Sequence, residues 1–337
     1  MIRRHAAVAL LVTLEVGCRT APIPNGERFP AGTPFTAHVV RIGDARIRYV
    51  DGGTGTPVIF IHGLGASMYA WRKNLAPVMA AGFRVVALDL LGFGSSDKPA
   101  HGYTNAAYTH LVVALMDSLD LPDAVLVGHS MGGEIAAEVA IAFPARVRGL
   151  VLIGAAGLGT REPVLFRVAR WRGVGPLMLA FRGRGLVARL LRSTYADPGK
   201  VTESDVDQYY APVAEVPYGQ ALRGVLREFN FGGLEGRLAA IRAPTLVLWG
   251  EADRWMPIAL GRALASQLNR SAFLSVPHAG HSVQEEAPDE VNRLLIKFLK
   301  DGLPRVPANL ALRREWRPEL GSIHFINHVV EIVDPET

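Results

Sequence analysis

The chain has 337 residues, of which 49% are hydrophobic and 20% are charged. This hydrophobic content excludes an intrinsically disordered protein, and a chain of this length can form a stable core without disulfide bonds. Its single cysteine excludes an internal disulfide, and no Cys/His spacing typical of structural zinc occurs. The net charge of +5 is small for a chain of 337 residues and is only weak evidence for a nucleic-acid partner, so we expect none.

The first 36 residues have the composition of an export signal followed by a linker. Arg3 and Arg4 precede an apolar run over Ala6–Leu14, which is too short to span a bilayer. Cys18 follows, and the arrangement resembles a bacterial lipoprotein signal, except that Glu15 stands where an apolar residue is usual. We therefore expect export with a lipidated Cys18 as membrane anchor. A plain signal peptide and a cytoplasmic N-terminal arm are the alternatives.

Short apolar runs alternate with helical periodicity from residue 38 onward. Strands are predicted at His38–Ile42, Ala45–Val50, Pro57–Ile61, Phe83–Leu88, Ala124–Val127, Gly149–Ile153, Thr245–Trp249 and Ala272–Val276. Helices are predicted at Tyr69–Ala81, Tyr108–Leu119, Glu134–Phe143, Ile258–Leu268 and Glu290–Leu299. This alternation predicts an α/β fold in which helices cover both faces of a mostly parallel central sheet.

The alternation stops between residues 157 and 240, where we predict an inserted helical cap. Residues 161–192 hold eight arginines and one acidic residue among apolar residues. An insertion between parallel strands emerges at their carboxyl ends, where such sheets bind ligands. The arginines are expected to form a solvated face of the cap, and binding to an anionic membrane surface is the alternative. Residues 37–156 and 241–300 are then the predicted core, and 301–337 are a tail without a predicted role.

A candidate nucleophile follows the predicted strand at 124–127. Gly128-His129-Ser130-Met131-Gly132 has the G-x-S-x-G pattern between a strand and a helix, the context in which a sharp turn exposes a serine hydroxyl. A serine hydroxyl needs a base that takes its proton and an acid that orients the base. The motif therefore predicts a Ser-His-acid triad whose other members follow later strands.

Two carboxylates and two histidines stand at the expected places. Glu251 and Asp253 follow the strand at 245–249, and His278 and His281 follow the strand at 272–276. On position alone, either carboxylate can be the acid and either histidine the base. His129 is next to the serine, but at such a turn its side chain is expected to point away from the hydroxyl.

Three blocks carry a resemblance to a known family. Gly-His-Ser-Met-Gly-Gly at 128–133, the block at 244–253 and Ala-Gly-His-Ser-Val-Gln-Glu-Glu-Ala-Pro at 279–288 resemble the catalytic blocks of the α/β-hydrolase superfamily. The resemblance spans about residues 38–300 and is strongest to the capped esterase, lipase and C–C hydrolase branch. It implies that Ser130 is the nucleophile, Asp253 the orienting acid and His281 the general base.

The same comparison implies an oxyanion hole. His62-Gly63-Leu64-Gly65 resembles the His-Gly-x-Gly loop of the superfamily, which makes the backbone amide of Leu64 one donor. The second donor is expected to be the amide of Met131, directly after the nucleophile.

A serine nucleophile argues against the dehalogenases and epoxide hydrolases of the superfamily, which use aspartate, and leaves acyl chemistry. The first hypothesis is an esterase or lipase that hydrolyses a small-molecule carboxylic ester through an acyl-enzyme. The alternatives are a C–C hydrolase of ring-cleavage diketones and a receptor-like ligand-binding protein. No H-E-x-x-H motif and no G-x-G-x-x-G after a strand occur, so no metal and no cofactor are expected.

Overall fold

The computed structural model describes residues 29, 33–159 and 182–303. The expected signal with Cys18, residues 160–181 of the expected cap and the tail after residue 303 lie outside the described residues.

Eight strands form one mixed sheet at the centre of the described chain. They are β1 Thr36–Ile42, β2 Ala45–Gly52, β3 Pro57–Ile61, β4 Arg84–Leu88, β5 Ala124–His129, β6 Val147–Ile153, β7 Thr245–Gly250 and β8 Ser271–Val276. Their order is β1-β2-β4-β3-β5-β6-β7-β8. Strand β2 runs antiparallel to both β1 and β4, and all the other pairs are parallel. The predicted α/β class with a mostly parallel sheet is confirmed.

Helices lie on both faces of this sheet. The helices of the described residues are α1 Leu75–Ala80, α2 Asn105–Ser118, α3 Met131–Ala142, α4 Arg184–Ser193, α5 Glu203–Ala214, α6 Tyr218–Glu228, α7 Ile258–Ser266, α8 Val283–Glu286 and α9 Pro288–Asp301. Short 3-10 helices span Met68–Trp71, Pro144–Arg146, Pro198–Lys200 and Leu238–Ala240.

The alternation of side chains along β3 shows how the two faces are filled. Ile59 and Ile61 belong to an apolar cluster that includes residues of α2, α3 and α7. Val58 and Phe60 belong to a second cluster, with residues of α1 and α9. Because successive side chains of a strand point to opposite faces, one short apolar strand supplies both layers of the core.

One predicted helix is wrong in its extent. Tyr69–Ala81 is not continuous: a 3-10 turn over Met68–Trp71 ends before α1 begins at Leu75. Pro77 has no N–H to donate to the carbonyl of residue 73, so a helix running through this position would lose a hydrogen bond. The chain instead starts a new helix with Pro77 in its first turn, where an N–H is not needed.

Residues 182–240 connect β6 to β7 and contain α4, α5 and α6. Helix α6 packs on the main apolar cluster through buried side chains that include Tyr218 and Val225. Helices α4 and α5 share a separate small cluster around Leu191 and Val206. In the part of the chain that the structure covers, no helix is long and apolar enough to cross a membrane.

Candidate active site

A strained turn places Ser130 between β5 and α3. Its backbone angles are φ 51° and ψ −119°, in a region that residues other than glycine rarely occupy. The amide of Ser130 donates to the carbonyl of Ile153 at 3.0 Å, which fixes the turn to β6. A Cβ on Gly132 would lie 2.2 Å from the carbonyl oxygen of Ile61, so only glycine permits this approach of helix and strand. Met131 is the first residue of α3, where an amide has no intrahelical acceptor.

Asp253 and His281 form a buried hydrogen-bonded pair beyond the ends of β7 and β8. The Oδ2 atom of Asp253 lies 2.8 Å from Nδ1 of His281. The Oδ1 atom accepts from the amides of Trp255 at 2.9 Å and Met256 at 2.8 Å. Both oxygens of the acid are therefore held, and His281 carries its proton on Nδ1, which leaves Nε2 free to accept a proton.

Ser130 and His281 lie at the same end of the sheet. Nε2 of His129 donates to the carbonyl oxygen of His281 at 3.0 Å, and the two rings have centroids 4.8 Å apart. A Cβ on Gly154 would lie 3.3 Å from Nδ1 of His281, and Gly154 follows the residue that accepts from the amide of Ser130. The hydroxyl of Ser130 makes no hydrogen bond to another described residue. In many hydrolases the hydrogen bond between the serine and its base is long or poorly aligned without substrate and tightens only when substrate binds.

The rival candidates lie elsewhere. Glu251 is exposed, and its Oε1 accepts from the hydroxyl of Ser275 at 2.8 Å. His278 is exposed on the turn after β8 with φ 55°. Burial, together with the neighbouring His281, lowers the pKa of His129 well below its ordinary value, so this ring stays neutral. Of the two carboxylates and two histidines that follow β7 and β8, Asp253 and His281 are the pair joined by a side-chain hydrogen bond.

The loop over residues 62–65 is fixed against the serine. The amide of Leu90 donates to Nε2 of His62 at 3.0 Å, so Nδ1 carries the proton and donates to the carbonyl of Gly63 at 2.8 Å. Burial lowers the pKa of His62 and keeps it in this neutral form. A Cβ on Gly63 would lie 3.1 Å from the Cβ of Ser130, and the next amide, that of Leu64, donates to no described residue.

Sequence reasoning missed Glu286, which holds the loop that carries His281. Its Oε2 accepts from the amides of Gly280 at 2.7 Å and Ala196 at 2.9 Å, and its Oε1 accepts from the amide of Asp197 at 2.8 Å. One carboxylate thereby joins the loop of His281 to the segment that follows α4. The sequence shows only that Glu286 is the second of two adjacent acidic residues, and two of its three partners lie about ninety residues away along the chain.

A buried ionic cluster joins α5 to α8 and to the 3-10 turn that ends at Trp71. Arg72 contacts the carboxylate of Glu285, and its Nη2 lies 2.7 Å from Oδ1 of Asp205. The hydroxyl of Tyr209 donates to Glu285 at 2.6 Å, and that of Tyr69 donates to Asp205 at 2.9 Å. Burial opposes the charge of Arg72, but Glu285, Tyr209 and Tyr69 together outweigh burial, and the pKa of Arg72 is raised. Burial raises the pKa of Glu285.

Trp255 covers one side of the His281 ring. The two rings are nearly parallel, at 14°, with centroids 6.2 Å apart. The indole Nε1 donates to both the carbonyl and the hydroxyl of Ser193 at 3.2 Å, which ties the ring to the end of α4. In the sequence, only the position of Trp255 two residues after Asp253 indicates that it lies close to the site.

Chemically, the site offers a serine hydroxyl on a strained turn, a histidine oriented by a carboxylate, and two backbone amides near the serine. This is the set of groups that acyl transfer requires. Over residues 33–159 and 182–303, no group of three or more His, Cys, Asp or Glu side chains could hold a metal ion.

This fold and this arrangement define a hydrolase, and the chain belongs to the α/β-hydrolase fold family, whose family model matches residues 56–288. It is 31% identical over 280 residues to a 2-hydroxy-6-oxononadienedioate/2-hydroxy-6-oxononatrienedioate hydrolase of Paraburkholderia xenovorans, covering 78% of this chain and 95% of that enzyme. It is 31% identical over 271 residues to a 2-hydroxy-6-oxo-6-phenylhexa-2,4-dienoate hydrolase of Burkholderia cepacia, covering 76% and 92%. Among solved structures, a membrane phospholipase A superposes with a TM-score of 0.67 at 29% identity, covering 79% of this chain and 86% of that one.

Proposed function

We propose that the protein is a serine hydrolase that cuts a carbon–carbon bond beside a carbonyl group, in substrates of the ring-cleavage diketone class. The hydrolase part rests on the strained turn of Ser130 and on the buried Asp253–His281 pair at the same end of the sheet. The substrate class rests on the two relatives at 31% identity, which align over almost their full length. Their named substrates hold hydroxyl, oxo and carboxylate groups but no ester or amide, so hydrolysis has to break a C–C bond.

The first half of the reaction forms an acyl-enzyme. Nε2 of His281 takes the proton of Ser130, and the serine Oγ attacks the carbonyl carbon. Asp253 keeps the imidazole in the tautomer that accepts this proton and stabilises the charge that develops on it. The amides of Leu64 and Met131 donate to the oxyanion, a contribution of about 3 kcal/mol for each donor.

The second half releases both products. The substrate reacts as its keto tautomer, in which a proton has moved from the 2-hydroxyl group to C5. Collapse of the tetrahedral intermediate then breaks the C5–C6 bond, and its electron pair is delocalised through the C3=C4 double bond onto the C2 carbonyl oxygen of the leaving fragment. His281 returns its proton to that fragment. A water molecule, deprotonated by His281, then hydrolyses the ester formed on Ser130, and the serine regains its proton.

Ester hydrolysis, the first hypothesis of the sequence analysis, is the second candidate. It shares every step up to the collapse, where a C–O bond breaks instead and an alcohol leaves. The 29% identity to a solved membrane phospholipase A supports it. We rank C–C hydrolysis ahead of it because the two relatives at 31% identity, which align over 95% and 92% of their own length, are named as hydrolases of such substrates.

The deciding experiment measures turnover of both substrate classes by the purified protein. One substrate is 2-hydroxy-6-oxo-6-phenylhexa-2,4-dienoate, followed by loss of its dienolate absorbance, and the others are p-nitrophenyl esters from acetate to palmitate. We expect turnover of the diketone by the wild type and by the control variant Ser266→Ala, at the end of α7, and none by Ser130→Ala. Turnover of esters alone would favour the second candidate. Turnover of neither would contradict a hydrolase and favour ligand binding.

A further inference from the structure

The described chain exposes four large hydrophobic side chains, and three of them lie together. Leu186 and Leu190 on α4 are 44% and 37% exposed, and Trp255 is 39% exposed. Trp255 contacts Ser193 at the end of the same helix. Single exposed hydrophobic residues are ordinary on a protein surface, but three at one place indicate a contact surface.

Leu186 and Leu190 lie on the outer face of α4, as the spacing of residues along the helix shows. Leu186, Arg189, Leu190 and Ser193 are spaced by three and four residues and so share one face. Leu191 is buried in the small cluster that α4 shares with α5, so the helix already has an inner apolar face. The outer leucines contribute nothing to this core, which leaves an external partner to account for them.

The same surface carries a positively charged groove. A groove of about 570 Å³ is lined by Arg189, Arg192, Ser193, Pro198, Arg254 and Trp255. Arg192 pairs with Glu203 at 2.6 Å, whereas Arg189 and Arg254 have no acidic partner among the residues that the structure covers. The groove therefore holds more positive than negative charge.

We propose that this surface, defined by Leu186, Arg189, Leu190, Arg254 and Trp255, docks on a bilayer that contains anionic lipids. Arginines bind lipid phosphates, while leucine and tryptophan side chains insert at the boundary between headgroups and acyl chains. A small soluble anion would use the arginines but would leave the leucines in water. The charge excess continues in sequence, since residues 161–192 hold eight arginines and one acidic residue.

Docking in this way brings the substrate-handling end of the protein to the membrane. Trp255 belongs to the docking surface on one side and stacks on the ring of His281 on the other. This inference does not depend on which bond the enzyme cleaves, because vesicle binding is measured without substrate.

The test is co-sedimentation of the full chain with phosphatidylcholine vesicles, with and without phosphatidylglycerol. We expect binding only to the anionic vesicles, lowered about thirtyfold by the double variant Arg189→Gln/Arg254→Gln, because each arginine near a charged surface contributes about fivefold. Leu186→Ser/Leu190→Ser should lower it at least about tenfold through lost apolar burial. Thermal unfolding of each variant checks that the fold is kept.

Matched controls remove the same chemistry elsewhere. Arg227→Gln/Arg270→Gln removes two exposed arginines, one on α6 and one directly before β8. Val216→Ser removes the fourth exposed hydrophobic residue. Both should bind as the wild type does. All variants keep the N-terminal segment, so anchoring through Cys18 alone would give equal binding throughout and would overturn the proposal. Equal binding to both kinds of vesicle, or to neither, would overturn it as well.

Discussion

Replacement of Glu286 by glutamine tests the link between the segment after α4 and the loop of His281. The carboxylate accepts three backbone hydrogen bonds, at 2.7, 2.8 and 2.9 Å, and is only 5% exposed. Glutamine has the same size but turns one acceptor oxygen into an NH₂ donor. If nitrogen takes the place of Oε1, one amide loses its acceptor, and if it takes the place of Oε2, two amides lose theirs.

The expected cost follows from these bonds. A hydrogen bond to a charged group contributes about 1.5–3 kcal/mol, and a buried donor left without an acceptor is unfavourable. With one or two such bonds lost, we expect Glu286→Gln to lower the free energy of unfolding by about 2–5 kcal/mol. Because the same loop carries His281, we also expect kcat to fall at least about tenfold while KM changes little, as for a group that positions the base.

Urea unfolding followed by circular dichroism measures the first effect, and steady-state kinetics on the substrate that is turned over measures the second. The control is Glu290→Gln, which removes a carboxylate paired only with exposed Arg293 and should change stability by less than about 1 kcal/mol. A Glu286→Gln protein that unfolds at the wild-type urea concentration and keeps wild-type kcat would refute this reasoning.

Three further predictions concern the triad, the ionic cluster and a buried acid. Asp253→Asn should lower kcat by about 10⁴-fold through loss of the correct His281 tautomer, and near-normal kcat would show that another group orients the base. Arg72→Met should lower the free energy of unfolding by about 3–5 kcal/mol in urea melts, because Glu285 is left buried without its cation; an unchanged midpoint would contradict this. Burial raises the pKa of Glu134 to about 8, so wild-type stability should decrease as the pH rises from about 4.5 to 8. The melting temperature of Glu134→Gln should therefore exceed that of the wild type by an amount that grows over this interval and then levels off, and a constant difference would be evidence against the shift.

The sheet and the position of the serine could be predicted because local sequence determines them. Apolar runs such as Pro57–Ile61 match their strands in the structure. Helix α3, by contrast, begins at Met131 rather than at the predicted Glu134. Glycines 132 and 133 have a low helix propensity, so local sequence does not indicate the first turn of this helix. Glycine is nevertheless required at both positions, because a Cβ on Gly132 would clash with the carbonyl oxygens of Ile61 and His62, and a Cβ on Gly133 would clash with Ala155.

The supporting residues could not be predicted because their partners are distant in sequence. Nothing near Glu286 indicates that its acceptor oxygens meet the amides of Ala196 and Asp197. The same holds for Arg72, whose two carboxylates come from α5 and α8. The substrate class was also beyond the motifs, because an ester and a diketone require the same nucleophile, base and oxyanion donors.

The central claim, that Ser130 is a nucleophile activated by His281, is tested most directly by covalent labelling. The full chain is incubated with a fluorophosphonate probe, and the labelled residue is identified by mass spectrometry of tryptic peptides. The account predicts one modified serine, Ser130, with labelling abolished in Ser130→Ala and retained in Ser266→Ala. Labelling that persists in Ser130→Ala, or a wild-type protein that the probe does not modify, would contradict it.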